Sequence, residues 1–259
     1  MPHSRRTALA AGLLTSLTMM TTPHAVAQSP FPSKPLRIVV PYAAGGSTDQ
    51  LARAIQQPMA DYLKQPVIVE NKVGAGGAIG TDFVAKSAAD GYTLVFGNSG
   101  PNAVLPLLRK TPYDSLADLR PISTVAITPM ILAIATNNPA KNLKDFLAAA
   151  KQSGSQWNFG SVGNGSLSHL TGEYFNNLAG LSLTHVPYNG GAPMMMAFAG
   201  GQLQAAFVTG LDGLAMLKAG KVRYIGVATP QRTPFVAGLP AIAEEVPGSR
   251  SVAWFGVLA

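Results

Sequence analysis

Four short stretches of the sequence crowd small and hydroxyl-bearing residues together: "GGSTD" (45–49), "GNSGPN" (97–102), "GSVGNGSLS" (160–168) and "YNGGA" (188–192). Each follows an apolar run and precedes a helical pattern. Glycine lets backbone approach a ligand closely, and the N–H groups of a helix start carry partial positive charge. Such turns hold an anion, above all a carboxylate, without any cationic side chain. Several neutral donors and no nucleophile is the chemistry of a receptor. Plainer readings stand beside this one. Ser47, Thr48 and Ser166 serve equally well as helix N-caps. Asp49 is a favourable charge in a first helical turn, or a ligand contact if the ligand carries an amino group or a water bridges two carboxylates. His169 reads as a packed residue on a helix face, Tyr42 and Tyr188 as strand-end packing beside prolines, and Met194–Met196 as core filler.

Catalytic and cofactor patterns come close and fail. "GAGGAIG" (74–80) resembles a dinucleotide fingerprint, but Ile79 stands where glycine or alanine is needed, and neither glycine loop is followed by GK[ST]. "GNSGP" places a serine in a turn after a strand, yet Pro101 occupies the last position of G-x-S-x-G. Beyond residue 27 the histidines are His169 and His185, with no H-E-x-x-H and no acidic cluster, so neither a metal nor another cofactor is expected. Glu244–Glu245 reads as a solvated face. A carboxylate pair assembled by the fold stays open.

Composition narrows the class further. The chain has 259 residues, 47% of them hydrophobic and 12% charged, enough for a sizeable core and too little charge for long disordered tails. Cysteine is absent, which excludes thiol catalysis and cysteine metal sites. Residues 1–27 read as a signal peptide: Arg5 and Arg6, the apolar run "ALAAGLLTSLTMM" (8–20), and "AVA" before a cleavage after Ala27. "SRRTAL" (4–9) leaves both the secretory and the twin-arginine routes open. The formal charge is +7; without Arg5 and Arg6, 17 basic residues face 12 acidic ones, leaving +5. These charges are scattered, so a solvated surface is expected and nucleic-acid binding is not.

The elements that must position the turns alternate in type. "LRIVVPY" reads as a strand, and the helix after it carries Leu51, Ile55, Met59 and Leu63 at helical spacing, with Pro58 set to kink or tighten its last turn. Further strands are read at "PVIVE" (66–70), "YTLVFG" (92–97), "WNFGS" and "VRYIGVAT", and helices at "LKDFLAAAKQ", capped by Asn142, and 165–180, capped by Ser166 and closed by Gly180. Ser115 and Asp118 have capping-box spacing. "STVAITPMILAIAT" (123–136) is long for one strand and reads as a crossing between two lobes. The alternation predicts an α/β fold with a mainly parallel sheet covered on both faces.

Taken together, "KPLRIVVPYAAGGSTDQLAR", "VIVENKVGAGGAIGTDFVAKSAADGYTLVFGN", "GSVGNGSLSHLTGEYF", "VPYNGGAPMMMAFAGGQLQAAF" and "LKAGKVRYIGVATPQR" resemble the Bug family of periplasmic solute receptors, the binding proteins of tripartite tricarboxylate transporters. The resemblance runs along essentially the whole chain beyond residue 27. It implies a two-lobed periplasmic-binding-protein fold (type II-like), no enzymatic activity, a monomer, the transporter's membrane subunits as partners, and small carboxylates as ligands: di- and tricarboxylates, acidic amino acids or aromatic acids. By position it implies that Tyr42, Gly46, Ser47, Thr48 and Asp49 hold one carboxylate, with Asn98 and Ser99 on the same lobe. Ser161, Asn164, Ser166 and His169 then face it from the second lobe, with Tyr188, Asn189 and Gly190 on the adjoining loop.

The chain departs from the family pattern in two places. Ala241 stands where threonine is common, and the chain stops at "SVAWFGVLA", where relatives continue with helices that complete the first lobe. The expectation is a truncated first lobe, residues 29–124 plus 226–259, a second lobe of 125–225, and an exposed apolar patch beside residues 252–258. Two alternatives remain for function. One is a receptor of the same fold that reports to a membrane sensor. The other is a hydrolase or lyase acting on a similar acid, against which the absence of a recognisable base–nucleophile pair argues.

Overall fold

In the computed structural model, which describes residues 31–259, the elements lie in one unit, Lys34–Ala259. The strands are β1 (Leu36–Val40), β2 (Val67–Asn71), β3 (Thr93–Asn98), β4 (Pro121–Pro129), β5 (Ile131–Ala135), β6 (Asn158–Ser161), β7 (Thr184–Pro187), β8 (Ala205–Val208), β9 (Val222–Val227) and β10 (Val252–Leu258). The helices are α1 (Ser47–Leu63), α2 (Ala78–Ala85), α3 (Leu105–Leu108), α4 (Leu143–Ser153), α5 (Leu167–Ala179), α6 (Gly191–Ala199) and α7 (Gly210–Lys218). The expected signal peptide lies outside the described residues.

Two five-stranded sheets organise the molecule. The first has the order β2-β1-β3-β10-β4, the second β7-β6-β8-β5-β9. β1 buries every residue except Arg37, as a central strand covered on both faces must. The stripe Leu51, Ile55, Met59 and Leu63 turns one face of α1 onto the core, and the helix runs through Pro58 to a left-handed close at Lys64 (φ 55°). Asn142 accepts the Asp145 N–H at the start of α4, and Ser166 accepts that of His169 at the start of α5. Gly180 (φ 62°) closes α5.

The sheets are mixed rather than mainly parallel. β1 runs parallel to β2 and β3, but β10 is antiparallel to both β3 and β4. In the second sheet β5 is antiparallel to β8 and β9. The reversed strands are those that bring the chain across from the other sheet, so no covering helix dictates their direction. Near Ser115 and Asp118 a turn stands in place of a helix. There Asp114 accepts the N–H groups of Leu116 and Ala117 and takes up the donors that a helix start would leave free.

The chain passes from the first sheet to the second at Met130, between β4 and β5. The Met130 N–H donates to Ser251 O (3.0 Å) and its carbonyl accepts from Ala228 N (2.8 Å), so the outgoing and returning segments are tied together. Divisions at 124/125 and 225/226 fall within β4 and β9. Phe96, Phe146, Phe159, Phe175 and Phe207 are fully buried between sheets and helices. β10 is an internal strand with Phe255, Val257 and Leu258 buried, whereas Ile122 and Ile127 on neighbouring β4, and Leu116 nearby, are exposed.

Candidate functional site

A small cleft of about 50 Å³ opens where the N-terminus of α1 meets the second sheet. Tyr42, Gly46, Ser47, Thr48, Asn98 and Ser99 form its first wall. Ser168, Thr209, Asp212 and Gly191 face them, and Met130, Leu167, Phe207 and Phe255 supply an apolar floor. Among the described residues, no lysine or arginine lines it.

The hydrogen bonds show which donors remain for a ligand. Asn98 Nδ2 donates to Thr48 Oγ1 (3.2 Å), and the Trp254 N–H donates to Ser99 Oγ (3.0 Å). Each hydroxyl therefore accepts from the protein and keeps its own proton to donate. Asn98 Oδ1 accepts from Gly100 N (3.0 Å), which fixes the amide's orientation. Tyr42 turns its hydroxyl away, donating to Gly76 O (3.0 Å), and burial pushes that hydroxyl's pKa well above its ordinary value.

Asp49 sits beside this wall and off the cleft lining. Its carboxylate accepts from Gly45 N (2.9 Å), Arg53 Nε (2.9 and 3.0 Å) and Asn71 Nδ2 (2.9 Å). Partial burial opposes its charge, but these partners hold its pKa below the ordinary value. It ties the glycine turn to β2.

Ser161, Asn164, Ser166, His169, Tyr188, Asn189 and Gly190 build the loops behind the second wall and do not line the cleft. Ser161 Oγ accepts from Gly163 N (3.1 Å) and lies 2.7 Å from His185 Nε2 and 3.2 Å from Gly163 O, which ties β6 and β7 to the loop. His169 Nδ1 accepts from Gly165 N (3.1 Å), and its ring stacks on His185 at 3.9 Å. Burial lowers the pKa of both imidazoles; His185, beside His169, falls to about 4. His169, Glu173 and His185 bring potential ligand atoms within 4.8 Å of one another. With Nδ1 of a neutral His169 accepting, its proton lies on Nε2, and no free lone pair is left for a metal.

The loops also join the two walls. Ala43 N donates to Asn189 O (2.9 Å). Gly76 (φ 69°) lies so close to the second wall that a Cβ there would sit 2.1 Å from Asn164 O, which accounts for the "GAGG" run without any nucleotide. Gly190 (φ 139°) approaches Ala43 N in the same way.

Thr209 and Asp212 were not among the residues expected from the sequence. Thr209 caps α7 by accepting the Asp212 N–H. It follows β8 directly, the same strand–hydroxyl–helix order as Ser47 after β1, and that order was the available signal. The Ser47 hydroxyl touches that of Thr209, Thr209 Oγ1 donates to Asp212 Oδ2 (2.9 Å), and Ser47 N donates to Asp212 Oδ1 (2.7 Å).

Two mixed sheets around a hydroxyl-lined cleft form the two-lobed fold of periplasmic binding proteins. The chain matches the tripartite tricarboxylate transporter family receptor over residues 51–259 and belongs to that family. It is similar to protein BugT of Bordetella pertussis, 35% identical over 237 residues, covering 90% of this chain and 73% of BugT. Among solved structures it resembles MatC of Rhodopseudomonas palustris with bound malate (33% identity, TM-score 0.83, 88% of this chain and 79% of that one). A second R. palustris protein, solved with adipate, matches at 33% identity and TM-score 0.83, over 88% of this chain and 77% of that one. The family is one of receptors, and the two solved neighbours hold malate and adipate.

Proposed function

We propose that this protein is the periplasmic receptor of a tripartite tricarboxylate transporter and delivers a small carboxylate to the transporter's membrane subunits. The observation that carries this reading is the pair of hydroxyls, Thr48 and Ser99, each with its acceptor capacity engaged and its proton free toward a cleft at the α1 N-terminus. Malate and adipate in the related structures support a carboxylate as the cargo. Thr48, Asn98 and Ser99 contact it directly. The loop residues Ser161, Asn164, Ser166, His169, Tyr188, Asn189 and Gly190 shape the opposing wall, and closure of two lobes that divide at Met130 and beyond Val227 buries the ligand. The one hydroxyl–carboxylate pair among the described residues lining the cleft, Thr209 and Asp212, is engaged by Ser47 from the facing wall, which supports binding without turnover.

A thermal-shift screen over mono-, di- and tricarboxylates, amino acids among them, followed by calorimetry, tests the reading. A cognate acid at about 100 times its Kd adds about 2.7 kcal/mol of stability. Proton NMR of protein with that acid should show no product. Stabilisation by no carboxylate, or conversion of one, overturns the proposal.

A further inference from the structure

Among the described residues that line the cleft, Asp212 is the one ionisable acid or base apart from tyrosine, and its geometry is unusual for its place in α7. It stands three residues after the N-cap Thr209. An acidic residue there ordinarily reaches back to the backbone N–H of the cap. Asp212 instead reaches across the cleft to the Ser47 N–H at the start of α1, while Thr209 donates its hydroxyl proton to the other oxygen. Gly191 makes room for it: a Cβ on that residue would lie 1.9 Å from Asp212 Oδ1. A carboxylate of the protein thus already occupies the helix start that a ligand carboxylate would use.

We propose that Asp212 sets the ligand class, selecting an amino acid-like zwitterion over a dianion; the inference rests on the receptor reading above. A dicarboxylate entering this cleft meets a third carboxylate in a small space whose lining, among the described residues, has no lysine or arginine to offset it. An ammonium group meets the reverse situation. Each Asp212 oxygen accepts one proton from the protein and keeps a lone pair for a charged donor. The ligand's own carboxylate then takes the free protons of Thr48 and Ser99 on the opposite wall, and its carbon skeleton lies on Met130, Phe207 and Phe255. The three kinds of group on the wall match the three parts of such a molecule.

Calorimetry on the full chain and on Asp212→Asn, with matched probes, tests the assignment. The pairs are hexanoate and norleucine, succinate and aspartate, adipate and 2-aminoadipate. Asparagine keeps the acceptor for the Ser47 N–H and removes the charge. For the unaltered chain, the amino member of each pair that binds should be at least about tenfold tighter. In Asp212→Asn that preference should shrink to about threefold or less, and succinate or adipate should gain affinity. Asp212→Ser gives the same readout should the asparagine variant fail to fold. Equal or tighter binding of the amino-free members by the unaltered chain overturns the inference, as does a preference that survives both substitutions, and either result leaves the receptor reading intact. Failure of every probe to bind any of these proteins overturns this inference, and the wider carboxylate screen then decides the receptor reading separately.

Discussion

Gly191→Ala tests the packing around Asp212 without any ligand. Gly191 is the first residue of α6 and has no left-handed backbone angle, so alanine meets no conformational penalty there. The added Cβ would lie 1.9 Å from Asp212 Oδ1 and 2.6 Å from its Cγ, so the carboxylate must swing away. It then loses the bonds from Ser47 N (2.7 Å) and Thr209 Oγ1 (2.9 Å). Hydrogen bonds to a charged group are worth about 1.5–3 kcal/mol each, and rehydration of the displaced carboxylate returns part of that. A net loss of about 2 kcal/mol follows, or about 4–8 °C in Tm for a protein of this size. Gly210→Ala at the start of α7 is the control, because its Cβ would meet nothing within 4 Å. Urea unfolding followed by circular dichroism measures both variants, and the same substitution in an Asp212→Ala background completes a double-mutant cycle. With Asp212 removed, the cost of Gly191→Ala should fall below about 0.5 kcal/mol. A Gly191→Ala protein as stable as the unaltered chain, or an equal penalty in the Asp212→Ala background, refutes the reasoning.

Three further outcomes follow from the same geometry. Thr48→Val removes one of the two free hydroxyl protons on the cleft wall and should weaken binding of the cognate acid by about 1.5–3 kcal/mol, with a smaller change in the unfolding midpoint; calorimetry showing unchanged affinity removes Thr48 from the site. Burial, with His169 beside it, holds His185 near a pKa of about 4, against 6.5 for a free imidazole. The unfolded chain therefore takes up a proton first as pH falls, and the stability present above pH 6.5 drains away toward pH 4 by roughly 1–2 kcal/mol after allowance for partial solvent screening. Urea midpoints across that range check the slope, and His185→Gln should flatten it. Asn142→Ala deletes the acceptor of the Asp145 N–H (2.8 Å) at the start of α4 and should cost about 1 kcal/mol in the same assay, with no effect on ligand affinity.

The sequence by itself determined what acts over a few residues. The stripe Leu51–Ile55–Met59–Leu63 orients α1, Asn142 and Ser166 cap α4 and α5, and Gly180 closes α5, because periodicity and capping are settled within one or two helical turns. The glycine–hydroxyl turns after β1 and β3 were legible for the same reason, and six residues that the family resemblance implied, Tyr42, Gly46, Ser47, Thr48, Asn98 and Ser99, stand on the cleft wall. Tertiary structure decided the rest. The antiparallel placement of β5 and β10 depends on which sheet the chain crosses into, and nothing local in "MILAIAT" or "VAWFGVL" records it. The floor of Met130, Phe207 and Phe255 comes from three separate strands or crossings, whose residues read in the sequence as ordinary core. The bond from Ser47 to Asp212 joins positions 165 residues apart. Asp212 in the sequence is an acidic residue in a first helical turn, the same reading that Asp49 receives. Only the packing of α7 against the start of α1 separates them, turning one toward Arg53 and Asn71 and the other into the cleft.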